Sequence, residues 1–174
     1  VTEEITKTKD KLVYISMGTV VNDMVSLYKN CIQAFADTDY QVIMSVGDLV
    51  DVKELGEIPD NISVHSHVDQ IAVLAKADVF LTHCGMNSVN ESLYYGVPLV
   101  MYPQTSEQGG VANRVTQVGA GVMLEKTSPE AIREAVEKVL KDNVYHDAAL
   151  TISDGFKACS GAKGAADKIL SVCK

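Results

Sequence analysis

The residues best equipped for chemistry lie in the run Leu81-Thr82-His83-Cys84-Gly85-Met86-Asn87-Ser88-Val89-Asn90-Glu91. A β-rich apolar stretch ends at Thr82, Gly85 permits a tight turn, and a helix is expected to open near Asn87. The first N–H groups of such a helix have no partner inside it and carry partial positive charge, so the turn offers itself to a phosphate-like anion. His83 stands just ahead and adds a donor that strengthens as negative charge accumulates. The same residues also admit a purely structural reading. Ser88 and Glu91 have the spacing of a capping box, and a loop histidine can simply bond a backbone carbonyl.

Three other segments carry polar groups in similar settings. Ser16-Met17-Gly18-Thr19 places a small residue, a glycine and a hydroxyl after an apolar run, which allows an anion close to the backbone. No GxGxxG or GxxxxGK[ST] accompanies it, so neither dinucleotide nor P-loop mechanics applies. In His65-Ser66-His67-Val68-Asp69-Gln70 the two histidines, two residues apart on a strand, face one side, which makes a metal pair conceivable, but no third ligand is near in sequence and no metal site is expected. The other reading gives His67 a flat ring, and Gln70 an amide able to read the edge of a heterocyclic base. Pro103-Gln104-Thr105-Ser106-Glu107-Gln108 joins a carboxylate to an amide, a pair suited to sugar hydroxyls or simply to a solvated first helical turn.

These loops need a scaffold, and the hydrophobic pattern supplies one. Strands are expected at 12–16, 40–46, 61–64, 78–82, 98–102 and 121–124, and helices at 23–35, 71–75, 87–95, 108–118 and 129–140. Ser128 and Pro129 give the last helix its N-cap and its first residue. Residues 143–174 read as one or two helices, with Gly161 and Gly164 as breaks. The alternation predicts a three-layer, Rossmann-like α/β domain built on a parallel six-stranded sheet. Ligands of such sheets bind outside the carboxyl ends of the strands, which selects the loops after Ser16, Val64, Thr82 and Tyr102.

Composition narrows the function classes. The 174 residues are 47% hydrophobic and 22% charged, with a formal net charge of −8 at pH 7. So acidic a chain has no electrostatic footprint for duplex nucleic acid or an anionic membrane. The longest charge-free gap, between Glu91 and Glu107, is interrupted by Gly96, Pro98 and Pro103, so no membrane helix and no integral membrane contact is expected. Cys31, Cys84, Cys159 and Cys173 form no CxxC pair, and the polar start does not read as a signal peptide; both suggest reduced thiols and a cytoplasmic setting. Residues 1–10 read as a linker and 11–174 as one domain.

Taken in order, the loops resemble the donor half of a two-domain GT-B glycosyltransferase, above all the bacterial macrolide glycosyltransferases and their UDP-glycosyltransferase relatives. The resemblance is carried by Gln70, the run from Ala77 to Ser88, Glu91, Gly96-Val97-Pro98, Glu107-Gln108, and the Ser16-Met17-Gly18-Thr19 loop. Ala112-Asn113-Arg114-Val115 and Gly119-Ala120-Gly121 fit it as well. It implies the C-terminal half of a GT-B fold and the binding of a nucleotide sugar, a UDP-sugar in the first instance. Gly18, Thr19, His83, Gly85, Asn87 and Ser88 would then hold the diphosphate. His67, Val68, Gln70 and Glu91 would hold the nucleoside, with Gln70 and the Val68 backbone at uracil-reading positions and Glu91 on the ribose. Glu107 and Gln108 would grip the sugar.

The resemblance further implies an inverting hexosyl transfer to a small-molecule hydroxyl, with no metal and no cofactor. The catalytic His and its Asp would lie in an N-terminal acceptor-binding domain, so no catalytic residue is expected in these 174 residues and no transfer by this chain alone. Two further readings remain: a naturally separate donor-binding subunit of a split N-acetylglucosaminyltransferase, and a non-catalytic nucleotide-binding module. The sequence departs from the family at His67, where Trp usually stacks on the base, at Asp69, where Pro is usual, and at Val111, where Asn is frequent.

Overall fold

A strand covered on both faces must be apolar along its whole length, and the central strands of this chain are. The computed structural model describes residues 5–18 and 24–173. Its strands are β1 (Lys11–Ser16), β2 (Tyr40–Ser45), β3 (Ile62–His65), β4 (Val79–Thr82), β5 (Leu99–Met101) and β6 (Gly121–Met123). Every residue of β4 and β5 is buried. All pairings are parallel, and the order across the sheet is β3-β2-β1-β4-β5-β6. The chain therefore winds outward from β1 to β3, returns to the middle, and winds the other way from β4. That reversal opens a crevice at the carboxyl ends of β1 and β4.

The helices are α1 (Val25–Phe35), α2 (Gln70–Leu74), α3 (Met86–Tyr94), α4 (Ser106–Gln117), α5 (Pro129–Lys141), α6 (Asn143–Ala158) and α7 (Gly161–Val172). Alternation along β1 sends Val13 and Ile15 to one face, where they pack with Leu27, Phe35, Ile132 and Val136 of α1 and α5. Leu12 and Tyr14 point to the other face and pack with Val73, Val89, Leu93 and Val115 of α2, α3 and α4. The result is the expected three-layer α/β arrangement.

Element positions agree with the sequence reading to within a residue or two. α4 begins at Ser106, earlier than expected, because the Thr105 side chain caps it by accepting from the Gln108 backbone N–H. The start expected at Asp23 for the first helix lies outside the described residues. A short 3-10 turn, Val52–Leu55, was not anticipated; the Asp51 carboxylate caps it by accepting from Lys53 N–H. The C-terminal segment divides into two helices at Cys159 and Ser160, with Gly161 at φ +56, whereas Gly164 sits inside α7.

α6 fixes the far end of α3. The Ser153 hydroxyl donates to the Tyr94 carbonyl at 2.5 Å, and Ala149 is fully buried beside it. Gly96 lies so close beneath α6 that a methyl group there would come within 2.7 Å of Leu150 Cδ2. Ser153→Ala should therefore lower stability by about 1 kcal/mol, the usual worth of one such bond. Urea unfolding checks this as a shifted midpoint with an unchanged slope.

Candidate ligand-binding site

A cleft of about 770 Å³ opens where the sheet order reverses. Gly18 reaches it from the end of β1, and His67, Val68 and Gln70 from the β3–α2 connection. His83, Gly85, Asn87 and Ser88 enter from the β4–α3 turn, Glu91 from the next turn of α3, and Glu107 and Gln108 from the start of α4. Apart from Thr19, which lies outside the described residues, every site residue expected from the sequence lines this one cleft.

The β4–α3 turn is built for close approach. Cys84 adopts φ +67, the one left-handed non-glycine among the described residues, and is fully buried. Burial pushes its thiol up to about 12, so it fills space rather than reacting. This turn starts α3 at Met86 with Gly85 as its N-cap, and among the described residues no side chain caps the helix. The first N–H groups of α3 are thus left to whatever occupies the cleft. The capping-box alternative for Ser88 and Glu91 is not realised: Ser88 lies in the first turn, past the N-cap, and Glu91 is directed elsewhere.

His83 occupies a slot between two glycines. A methyl group on Gly18 would lie 2.5 Å from His83 Cε1, and one on Gly85 would lie 2.6 Å from Nε2. Gly18 also needs its freedom for φ +82. Among the described residues the buried Nδ1 has no partner of hydrogen-bonding geometry. Burial lowers the imidazole pKa below its ordinary 6.5, and contact with the Ser16 backbone recovers only part of the shift. The ring is accordingly neutral at pH 7, with a donor or acceptor available to a ligand.

Gln70 ties α2 to α3. Its Nε2 donates to Glu91 Oε2 at 2.6 Å and to Ser88 Oγ at 3.3 Å, while its Oε1 accepts from the Tyr14 hydroxyl at 3.1 Å. In this arrangement its amide is engaged inside the protein. His67 lies past β3 rather than on it, and its Nε2 meets Asp48 Oδ1 at 2.9 Å. The two histidines therefore do not share a strand face, and among the described residues no group of three His, Cys, Asp or Glu is placed to hold a metal ion. Asp69 caps α2 by accepting from Ala72 N–H at 3.1 Å. At the other rim, Gln104 N–H donates to Gln108 Oε1 at 2.7 Å.

Several lining residues escaped the sequence reading. Ser45 and Gly47 follow β2, whose loop was not among the four selected, although Gly47 at φ +75 marks a turn directly after a strand. Tyr14 lies within an apolar run, where only its hydroxyl distinguished it from core. Met86 and Thr105 sit beside expected residues and carry no signal of their own.

Known proteins are similar to this chain in sequence and in fold. The sequence model of the UDP-glucoronosyl and UDP-glucosyl transferase family matches residues 3–158. Over 165 residues the chain is 42% identical to NDP-glycosyltransferase YjiC of Bacillus subtilis (strain 168), covering 94% of this chain and 42% of that protein. It is 32% identical over 136 residues to the oleandomycin glycosyltransferase of Streptomyces antibioticus, covering 76% of this chain and 32% of that one. Its fold matches the crystal structure of CalG4, the calicheamicin glycosyltransferase, with a TM-score of 0.89, 31% identity, and coverage of 97% of this chain and 44% of that chain. The chain spans about two-fifths of the length of the Bacillus relatives it matches.

The glycine slot makes a test that needs no ligand. Gly85→Ala has an accessible backbone, since Gly85 sits at φ −58, so the imidazole should leave rather than the fold break. Followed by the His83 Hε1 resonance, titration of the displaced ring should return toward about 6.5, whereas the wild-type ring titrates lower. Folding is linked with the matching sign. A depressed histidine pKa means that the unfolded chain binds more protons near pH 6, so wild-type stability declines as pH falls through 6.5, and the decline should flatten in Gly85→Ala.

Proposed function

Because the chain belongs to the UDP-glucoronosyl and UDP-glucosyl transferase family, we propose that its cleft holds the nucleotide-sugar donor, a UDP-sugar, of a glycosyltransferase. The observation that carries this reading is His83 seated between Gly18 and Gly85, beside the uncapped start of α3. A pyrophosphate there would meet backbone N–H groups, the Asn87 and Ser88 side chains and the imidazole together. Glu91, with one oxygen occupied by Gln70, has the other for ribose hydroxyls. His67 and the Val68 backbone would take the base, and Glu107 and Gln108 the sugar.

The proposed reaction is an inverting transfer. A base outside these 174 residues removes the proton of an acceptor hydroxyl, which attacks the anomeric carbon in line and displaces the nucleoside diphosphate. This chain's part is to position the donor and to stabilise the charge that collects on the leaving diphosphate, by His83 and the α3 N-terminus rather than by a metal. Relatives named for oleandomycin and calicheamicin support a small-molecule acceptor, and we assign a hexose as the transferred group and the cytoplasm as its place of work. No helix among the described residues is long and apolar enough to cross a membrane. On this reading the 174-residue chain binds donor and transfers nothing by itself.

A hydrogen bond to a charged group contributes roughly 1.5–3 kcal/mol. Titration calorimetry with UDP should therefore give a dissociation constant weakened about ten- to hundredfold in His83→Ala, in Mg²⁺ and in chelator alike. An unchanged constant would sink the assignment. The diphosphate should also raise the His83 pKa from its depressed value, so UDP-glucose should bind more tightly as pH falls toward 6, with proton uptake. That pH dependence should vanish in His83→Ala.

A further inference from the structure

Beneath the cleft, Tyr14 departs from the aliphatic character of its strand. It is 1% exposed, and its ring stacks on Phe80 with centroids 4.6 Å apart and planes 18° from parallel. From β1 its hydroxyl reaches Gln70 Oε1 at the first residue of α2. Burial pushes the phenol up to about 12, with the neighbouring Ser16 and Ser45 side chains offsetting part of the shift. The group stays protonated at any physiological pH, and it donates that proton to Gln70 Oε1 at 3.1 Å.

The side-chain amide of Gln70 has two orientations related by a half-turn, and they are not equivalent. Glu91 as a carboxylate can only accept, so Nε2 must face it. Oε1 then faces Tyr14, which donates. A flipped amide would set oxygen against carboxylate, whereas the hydroxyls of Ser88 and Tyr14 can each donate or accept, so Glu91 fixes the orientation. The chain of contacts runs from β1 through α2 to two residues of α3, and the carboxylate of Glu91, which can only accept, sets its polarity.

We infer that Tyr14 is a positioning residue: by donating to Gln70 it fixes the amide that holds Glu91 and Ser88 ready for the ribose and diphosphate of the donor. The inference rests on the reading of the cleft as a nucleotide-sugar site, but the brace itself exists without ligand and can be examined separately.

Tyr14→Phe keeps the ring, the volume and the stack on Phe80 and removes only the hydroxyl. In the 174-residue chain, calorimetry with UDP should show Tyr14→Phe weakening binding about three- to tenfold, the worth of one neutral hydrogen bond. In a Gln70→Ala background the same change should cost less than about twofold, because the intermediary is gone. An undiminished loss in that background, or no loss in the wild-type background, overturns the inference. A second arm follows the Gln70 side-chain ¹⁵N–¹H resonances without ligand. They should move toward the values of an exposed glutamine in Tyr14→Phe, and unchanged resonances also overturn the inference. Should wild-type chain fail to bind UDP, the donor-site reading falls, and the resonances alone decide whether Tyr14 holds the brace.

Discussion

The pairing of β1 with β4 is the constraint on which the rest of the site depends. The two strands are neighbours in space though far apart in sequence, with Val13 opposite Val79 and Ser16 opposite Thr82. That register places the turns leaving both strands side by side, so that the Gly18 backbone and the His83 ring come into contact. The absence of a Cβ on Gly18 and on Gly85 is what makes the contact possible. A slip of one residue would exchange the two faces of β1, bury Val13 where Tyr14 now lies, and disconnect both His83 and Gln70 from it.

Electrostatically the cleft is unusual for the diphosphate site proposed for it. Among its described lining residues none is Lys or Arg, and two are Glu. In a chain of net charge −8, affinity for a diphosphate cannot come from a broad positive field. On the proposed reading it comes from short-range groups of fixed orientation: the N–H groups at the start of α3 and an imidazole kept neutral by burial. Such groups attract an anion only at contact distance, which favours geometric selectivity over long-range capture. The same neutrality lets His83 answer an arriving charge by taking up a proton.

α3 links site to scaffold. Its N-terminus faces the cleft, Gln70 braces its first turns from α2, and α6 clamps its C-terminal end through Ser153 and the tight approach at Gly96. The helix has only nine residues, too short to be stable by propensity alone, so its orientation depends on these anchors. The polar end at the ligand and the packed end under α6 are therefore parts of one device for holding a dipole in place.

Much of this was legible in the sequence. Strand–turn–helix signals are local, because strand propensity, turn glycines and helix periodicity act over a few residues, and they located the six strands, the reversal of element type and the loops at their carboxyl ends. Hence the expected site residues that are described all line one cleft. What the tertiary structure alone decided were polarities and partners set by distant segments. Tyr14 and Gln70 are 56 positions apart, and Gln70 and Glu91 are 21 apart. The same holds for Ser88 and Glu91 forming no capping box, for His67 turning to Asp48, and for the loop after β2 joining the cleft. Spacing along a chain specifies which backbone shape a residue sits on. Which group its side chain meets follows from strand register and helix packing, and these arise only when the hydrophobic faces of the whole sheet are buried together.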